Sequence, residues 1–273
     1  MDVREVKGGA IPLVGYGTYP LTGDAAVRGV AAALEAGYRH IDTAQMYGNE
    51  AEVGRALAAS GLARDAVFVT TKVLPGNYAP DRFAGTVAES LDALRLDRVD
   101  LLLLHWPNPA FSMEKTLELL LAEQDAGRAR LVGVSNFEPA DLDRAMAFTA
   151  GRIVNDQIEF HPLVDRSAEQ AAAERHGISL TAYCPVARGA VAQEPILTAI
   201  GQAHGKTAAQ VALRWAVQQG VIVVPKASSP AHIAANIDVF DFALDADEMA
   251  RVGALRARNQ RLVRVAGLSP TWG

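Results

Sequence analysis

Three ionisable side chains of different chemical types stand at the ends of short apolar runs in this chain. Asp42 follows the run YRHI, Lys72 ends the run VFVTTK, and His105 follows DLLLL. A phenol, Tyr47, lies in the polar loop just after Asp42. Neighbouring acidic, basic and phenolic groups change one another's pKa and can transfer protons near neutral pH, so these residues could support general acid–base catalysis.

Asp42 is the residue that most needs a partner, because a carboxylate at the end of an apolar strand is costly to bury without a cation. Lys72 could supply that cation, and a cation beside Tyr47 would lower the pKa of the phenol. Each residue also has a purely structural interpretation. Asp42 could cap a loop, Lys72 could extend its stem towards solvent, and His105 could be a hydrogen-bonded core imidazole.

A regular alternation of strand-like and helix-like segments positions these residues. The predicted strands are 13–17, 38–42, 67–72, 99–105, 130–135, 154–159, 179–183 and 221–225. The predicted helices are 24–36, 51–59, 80–94, 113–126, 139–147, 167–176 and 207–219. Such alternation implies parallel strands with right-handed crossovers, and eight units fit a closed (β/α)8 TIM barrel. All strand carboxyl ends of a barrel meet at one rim, where Asp42, Lys72 and His105 would converge.

Both ends of the chain add elements to the barrel. Residues 3–13 predict a β-hairpin around Gly8 and Gly9, since glycine permits the positive φ of a tight turn. Residues 245–255 predict an extra C-terminal helix capped by its first residue, an aspartate. An irregular, basic tail over 256–273 follows and could lie across one end of the barrel.

The chain has the organisation of one domain over 1–273. No proline- or glycine-rich linker divides it, and no G-x-G-x-x-G fingerprint follows the first predicted strand, which disfavours an open doubly wound sheet. Half of the residues are hydrophobic and 21% are charged, as is typical of a soluble globular protein. A net charge of −5 argues against binding to nucleic acid.

Membrane, secreted and metal-dependent classes find little support. The apolar run at 99–104 is far shorter than the roughly 20 residues that span a membrane. The first nine residues contain no signal-peptide core and Cys184 is the only cysteine, so we expect a cytoplasmic protein without disulfides. The histidines lack the paired spacing of a metal site, so we expect none. No apolar surface stripe stands out, and we therefore expect a monomer.

A barrel glycosidase is the main alternative chemistry. Such an enzyme needs two carboxylates at suitable strand ends, and Asp42 and Glu159 could supply them. The lysine expected beside Asp42 weakens this alternative, because the general acid of a glycosidase must keep a raised pKa.

The stretch GYRHIDTAQMYGNEAEVG at 37–54 resembles the first signature of the aldo-keto reductases. Further stretches resemble the family in the same order along the chain: TKV, LLLLHWP, GRARLVGVSNF, NDQIEFHP, AYCPVARG and VPKASS. The C-terminal RLVRVAGLSPTW is similar to the end of bacterial members of the 2,5-diketogluconate reductase B type, which are methylglyoxal reductase-like. These matches span nearly the whole chain.

The resemblance implies a catalytic tetrad and a nicotinamide cofactor, NADPH. Tyr47 would protonate the carbonyl oxygen of an aldehyde or ketone as hydride arrives. Lys72, paired with Asp42, would depress the pKa of Tyr47, and His105 would orient the carbonyl. The implied substrates are small carbonyls such as 2-oxoaldehydes or diketogluconate. A non-catalytic nicotinamide-binding sensor of the same fold is the alternative function.

The resemblance also implies which residues bind the cofactor. Tyr183 would stack on the nicotinamide, while Ser135, Asn136 and Gln157 would hold its carboxamide. The remaining contacts, to the pyrophosphate, ribose and 2′-phosphate, would come from Thr18, Pro185, Val186, Arg188, Gly189, Lys226, Ala227, Ser228, Ser229, His232 and Asn236. His232 stands where many members have arginine, and neutral imidazole is a weaker phosphate ligand. We therefore expect a reduced NADPH preference with some use of NADH.

The implied substrate wall consists of Tyr19, Leu74 and Trp106. Leu74 stands where many members have tryptophan, which predicts a wider pocket. The tail contributes Arg256, Arg258, Arg261 and Arg264. These arginines are either solvated or attract anionic keto acids.

Overall fold

A computed structural model describes residues 2–269 of the protein, and residues 270–273 of the predicted tail lie outside that range. The strands are β1 (Val3–Val6), β2 (Gly9–Pro12), β3 (Tyr16–Gly17), β4 (His40–Asp42), β5 (Phe68–Val73), β6 (Val99–Leu104), β7 (Ala129–Ser135), β8 (Ile153–Glu159), β9 (Ser179–Tyr183) and β10 (Ile222–Val223). The helices are α1 (Gly23–Glu35), α2 (Glu50–Ala59), α3 (Phe83–Leu94), α4 (Met113–Asp125), α5 (Pro139–Phe148), α6 (Ser167–His176), α7 (Pro195–His204), α8 (Ala208–Gln218), α9 (Pro230–Ile237) and α10 (Ala246–Ala254).

Strands β3 to β10 form one parallel sheet in chain order, which closes into the predicted barrel. The closing contacts join the segment before β3 to β10: Val223 N–H donates to the Leu13 carbonyl and Gly15 N–H to the Val223 carbonyl, both at 2.8 Å. The approach is close, because a Cβ on Gly17 would lie 2.6 Å from the Val224 carbonyl oxygen. Strands β3 and β10 are shorter than predicted. Each pairs with its neighbour over only two residues, and an isolated bridge between Val14 and Val223 joins the two ends of the sheet.

The barrel interior is packed at its amino-terminal end. Leu101 and Leu103 of β6 belong to one apolar cluster, whereas the alternate residues Leu102 and Leu104 pack in the layer between strands and helices. The inner cluster also contains Ile11 from the hairpin of β1 and β2. The hairpin therefore closes this end, which leaves polar chemistry to the opposite, carboxyl rim.

Local signals account for most element boundaries and for the differences from prediction. The hairpin turn is formed by Lys7 and Gly8, with Gly8 at φ 86°, instead of by the predicted Gly8-Gly9 pair. The predicted extra helix is α10, whose N-cap Asp245 forms a capping box with Glu248. Helices α7 and α9 were not predicted, although each has proline at its first position, a recognised start signal.

No helix within 2–269 has the length and apolar character needed to cross a membrane.

Candidate active site

Lys72 is the cation that Asp42 was predicted to need. The two residues lie on neighbouring strands β5 and β4, and Lys72 Nζ donates to Asp42 Oδ1 at 2.7 Å. Nζ also donates to the Thr43 carbonyl at 2.8 Å and lies 3.3 Å from the Tyr47 hydroxyl. The lysine side chain is fully buried, and its three donors are used by a carboxylate, a carbonyl and a hydroxyl away from water.

Tyr47 is held by contacts on three sides of its ring. It ends a 3₁₀ turn, Gln45–Tyr47, that follows β4. Lys72 Nζ lies 4.9 Å from the ring centroid, and the Tyr19 ring packs at 5.0 Å. The His105 ring meets Tyr47 edge to face at 5.6 Å. These contacts fix the phenol at the carboxyl rim between a cation and an imidazole.

The predicted lowering of the Tyr47 pKa is wrong for this structure. Burial raises the pKa of Tyr47 well above its usual value, and the carboxylate of Asp42 raises it further. The ion pair with Asp42 offsets the charge of Lys72, so the phenol experiences desolvation more than the field of a free cation. Tyr47 is therefore neutral and protonated at neutral pH, the state required of a proton donor.

His105 follows β6 and is a neutral imidazole. Burial lowers its pKa well below the usual value, and the nearby charge of Lys72 adds to the effect. Its backbone is fixed, because its N–H donates to the Val73 carbonyl at 3.3 Å and its carbonyl accepts from Asn136 Nδ2 at 3.2 Å. Within 2–269 its buried Nδ1 has no hydrogen-bond partner.

The predicted carboxamide-binding residues form one network beside the ion pair. Gln157 Nε2 donates to Asp42 Oδ2 at 2.7 Å, and the Ser135 hydroxyl donates to the Gln157 carbonyl at 2.7 Å. Asn136 Nδ2 donates to Ser135 Oγ at 2.9 Å, while Asn136 Oδ1 accepts from the Tyr183 hydroxyl at 2.7 Å. Strands β7, β8 and β9 thus bring the four predicted residues together.

The predicted phosphate-binding segments lie at the same rim. Arg188 and Gly189 are exposed with positive φ in the turn after β9, whereas Pro185 is buried and Val186 is half-buried. Lys226 is exposed just after β10, and no carboxylate within 2–269 lies within ion-pair distance of it. Ser228 and His232 are exposed, Ala227 and Asn236 are buried, and Ser229 Oγ caps α9 by accepting from the His232 N–H.

Two tyrosines that the sequence analysis missed support this segment. The buried Tyr16 hydroxyl donates to the Ala227 carbonyl at 2.6 Å, and the Tyr38 hydroxyl donates to the Ile233 carbonyl at 3.0 Å. Their rings pack edge to face at 5.8 Å. A tyrosine inside a predicted buried strand usually has a partner for its hydroxyl, which is the signal that would have indicated them. The predicted ligand Thr18 follows β3 directly, and its Oγ1 donates to the Asp42 carbonyl at 3.0 Å.

The three residues of the predicted substrate wall have different surroundings. Tyr19 packs on Tyr47 and is 56% exposed, and Leu74 is half-buried with its N–H donating to Gln45 Oε1. Trp106 is buried and lines a separate cleft of about 700 Å³. That cleft also includes residues 267–269 of the tail, but neither the tetrad nor the other two wall residues.

The four tail arginines have different surroundings. Arg258 forms an ion pair with Glu194, and Arg261 is half-buried near Arg166, Glu169 and Glu159. Arg256 and Arg264 are exposed and form no ion pair within the described chain. Residues 2–269 contain no group of three or more His, Cys, Asp or Glu arranged to hold a metal ion.

The fold and the rim residues together define the class of protein. Residues 13–257 match the Aldo/keto reductase family, so the chain belongs to that family of oxidoreductases. Methylglyoxal reductase DkgB of Escherichia coli O157:H7 is 39% identical over 266 residues, which cover 96% of this chain and 99% of that protein. The resemblance predicted from the sequence motifs is confirmed.

Solved structures agree with the barrel. A crystal structure of a candidate 2,5-diketo-D-gluconic acid reductase B has a TM-score of 0.94 at 46% identity, covering 96% of this chain and 94% of that one. The aldo-keto reductase of Bombyx mori, in complex with NADP, has a TM-score of 0.90 at 33% identity, covering 97% and 95%.

Proposed function

We propose that the protein reduces small aldehydes and ketones to alcohols with NADPH and that Tyr47 is the general acid. One observation carries this proposal: a protonated phenol lies 3.3 Å from the ammonium of a buried, carboxylate-paired lysine, with a neutral imidazole against its ring. A carbonyl oxygen placed between Tyr47 and His105 would meet a proton donor and a polar ring.

Each residue has a distinct role in the proposed mechanism. Tyr47 gives its proton to the carbonyl oxygen as that oxygen gains charge, and Lys72 then stabilises the phenolate across the 3.3 Å contact. Asp42 keeps Lys72 charged and in place although it is buried. His105 positions the carbonyl. The hydride that completes the reduction is supplied by the reduced nicotinamide when it is bound.

The rim residues fit a nicotinamide dinucleotide. Ser135, Asn136 and Gln157 present amide and hydroxyl groups near the tetrad, where a carboxamide could exchange hydrogen bonds with them. At the other end, exposed Lys226 and the N-terminus of α9 provide positive potential for a phosphate. The NADP complex of the Bombyx mori relative supports this assignment.

The proposed substrates are small carbonyl compounds, including 2-oxoaldehydes and sugar-derived keto acids. The names of the relatives, methylglyoxal reductase and candidate 2,5-diketo-D-gluconic acid reductase B, support both classes. Exposed Arg256 and Arg264 would favour the anionic members through their charge. A non-catalytic nicotinamide-binding role is the second candidate, but the hydrogen bonds that join Asp42, Lys72 and Tyr47, with the His105 ring against the phenol, favour turnover.

The test is a panel of carbonyl substrates with NADPH and with NADH, run on the wild type and on Tyr47→Phe. Removing a general acid should lower kcat by about 100- to 10,000-fold. Tyr19→Phe is the comparison, because it removes a hydroxyl from the ring packed on Tyr47, and its kcat should fall far less than that of Tyr47→Phe. Near-normal turnover by Tyr47→Phe would exclude the proposed acid, and binding of NADPH without turnover by the wild type would favour the sensor.

We further propose that the chain is one domain and acts as a monomer in the cytoplasm. Within 2–269 the exposed large apolar side chains are Val3, Tyr19, Met46 and Phe148, a set too small to form an extended apolar interface. Light scattering coupled to size-exclusion chromatography would report the mass in solution, and a dimer mass would contradict this proposal.

A further inference from the structure

Gln45 lies two positions before Tyr47, and the proposed reaction does not use it. It begins the 3₁₀ turn that carries the phenol, and it is half-buried. Its Oε1 accepts from the Leu74 N–H at 2.7 Å and from Asn77 Nδ2 at 3.2 Å. These two hydrogen bonds attach the turn to the segment after β5, where Leu74 belongs to the predicted substrate wall.

The amide nitrogen of Gln45 attaches the same turn to α3. Its Nε2 donates to the Thr86 carbonyl at 3.1 Å and to Ser90 Oγ at 3.0 Å. Two donated and two accepted hydrogen bonds use the full capacity of a side-chain amide. Gln45 therefore joins the turn of Tyr47 to two other segments and has no bonding position left for a substrate.

The contacts of Ser90 extend this network to the strand of Lys72. Ser90 Oγ donates to Glu50 Oε2 at 3.1 Å, and Glu50 Oε1 accepts from the Thr71 hydroxyl at 2.5 Å. Glu50 is the first residue of α2, and Thr71 directly precedes Lys72 in β5. The network that begins at Gln45 thus reaches both the turn of the proposed acid and the strand of its cation.

The main chain of the turn does not attach it to the barrel. In the described chain, the N–H groups of Tyr47 and Gly48 donate to the carbonyls of residues 44 and 45, at 3.0 and 3.2 Å. These hydrogen bonds shape the turn but leave its position to side chains.

A second amide holds the far end of the turn. Asn49 is fully buried, and its Nδ2 donates to the Leu21 carbonyl at 2.8 Å in the segment before α1. Its Oδ1 accepts from the Thr43 hydroxyl at 2.6 Å. Asn49 therefore fixes one end of the turn to the β3 side, and Gln45 fixes the other end to β5 and α3.

We infer that Gln45 is a positioning residue that holds the Tyr47 hydroxyl at a fixed place relative to Lys72 and Leu74. A carbonyl resting against Leu74 would then meet the phenol in the geometry needed for proton transfer. Such geometry matters, because a displacement of about 1 Å can lower a rate by about 100-fold. The effect on turnover rests on the proposed function, whereas the attachment of the turn does not.

The first test measures the attachment without using catalysis. Gln45→Met keeps the length of the side chain and removes all four hydrogen bonds, including the acceptor of the Leu74 N–H. The turn should open more often, so hydrogen exchange of peptides that cover residues 44–49 and 73–78 should accelerate by about tenfold. Exchange in the other strands of the barrel should stay at the wild-type rate.

Gln210→Met is the matched control. Gln210 is also a buried amide with several hydrogen bonds, but these go to Thr207 and to the Asp238 carbonyl at the start of α8. This variant should lose stability in urea much as Gln45→Met does. Exchange of residues 44–49 and 73–78 should stay unchanged.

The second test separates positioning from stability. For Gln45→Met, kcat for methylglyoxal reduction should fall by about 10- to 100-fold. The KM for NADPH should change by less than about twofold, because none of the four hydrogen bonds of Gln45 goes to a proposed cofactor ligand. Gln210→Met should keep kcat within about twofold of the wild type.

Asn77→Ala is a milder variant for the case that Gln45→Met folds poorly. It removes one of the two donors to Gln45 Oε1 and leaves the other three hydrogen bonds of that amide in place. Exchange at the turn should accelerate and kcat should fall, each by about threefold.

Two results would overturn the inference. Turnover and exchange at the turn could match the wild type in both Gln45→Met and Asn77→Ala, or Gln210→Met could lose as much turnover as Gln45→Met, as expected from general destabilisation. If the wild type lacked carbonyl reduction but Gln45→Met still accelerated exchange at the turn selectively, the proposed function would fail while the attachment would stand.

Discussion

The side-chain amide of Gln157 donates a hydrogen bond to Asp42 Oδ2 over 2.7 Å. Lys72 occupies the other oxygen of the same carboxylate. One buried acid therefore joins a residue of the proposed carboxamide site to the cation of the proposed proton donor. Because hydrogen bonds to a buried charge are stronger than neutral ones, a change at Gln157 should affect both stability and turnover.

Gln157→Met should destabilise the protein and slow the reaction. The substitution keeps the length of the side chain but removes the donor, leaving an oxygen of Asp42 without this partner. The free energy of unfolding, measured in urea, should fall by about 1.5–3 kcal/mol. Gln219→Met is the control, since its exposed amide bonds only to neutral groups: it donates to the Trp215 carbonyl and accepts from Gln170 Nε2. Equal losses for the two variants would contradict the special role of the Asp42 contact.

The alternating strands and helices predicted the barrel because every unit carries its own periodic signal and the crossover rules leave few ways to arrange eight units. The same argument placed Asp42 beside Lys72, since neighbouring parallel strands end at one rim. The direction of the Tyr47 pKa shift was not predictable, because it depends on how deeply the ring is buried and on how far Asp42 offsets Lys72.

The sequence patterns also could not predict contacts between distant segments of the chain. The bond from Leu262 to Glu159 joins residues 103 positions apart, and Tyr16 contacts the carbonyl of a residue 211 positions away. A strand pattern indicates that such side chains are buried. It does not indicate which carbonyl or N–H will face them, because that depends on loop paths that periodicity does not encode.

Tyr47 should stay protonated from neutral pH to above about pH 10. Reduction needs Tyr47 in its protonated form, and burial and Asp42 raise the pKa of that phenol well above its usual value. Burial lowers the pKa of Lys72, so the rate of reduction falls with the charge of that lysine before Tyr47 loses its proton. The measurement is therefore the ultraviolet absorbance of phenolate as a function of pH, taken as the difference between the wild type and Tyr47→Phe. A difference signal with a midpoint between pH 7 and 9 would show that Tyr47 has a lowered pKa.

Asp156 should make the protein less stable as the pH rises from about 5 to 8. Burial raises the pKa of this carboxyl to about 8, and one of its oxygens has no partner within the described residues. The folded chain therefore binds a proton that the unfolded chain has released above its ordinary pKa near 4, so the stabilisation present in acid is lost as the pH approaches 8.

Asp156→Asn removes this titration while preserving the shape of the side chain. The variant should be more stable than the wild type by at least about 1 kcal/mol at pH 8, with a smaller difference at pH 5. Urea unfolding at the two pH values measures both effects. Parallel stability curves for wild type and variant would show that Asp156 does not titrate in this range.

His232→Arg should increase the preference for NADPH over NADH. His232 is exposed in the first turn of α9, where its N–H donates to Ser229 Oγ, and lies on the same rim as Lys226, where the 2′-phosphate is proposed to bind. Guanidinium is permanently charged and can donate two hydrogen bonds to a phosphate, so the KM for NADPH should fall by about five- to tenfold. The KM for NADH, which lacks that phosphate, should stay within about twofold.

Ala231→Arg is the matched control, because it adds the same charge at the neighbouring exposed position of the helix. If Ala231→Arg lowered the KM for NADPH as much as His232→Arg does, the gain would come from net charge; if both cofactors improved equally, position 232 would not contact the 2′-phosphate.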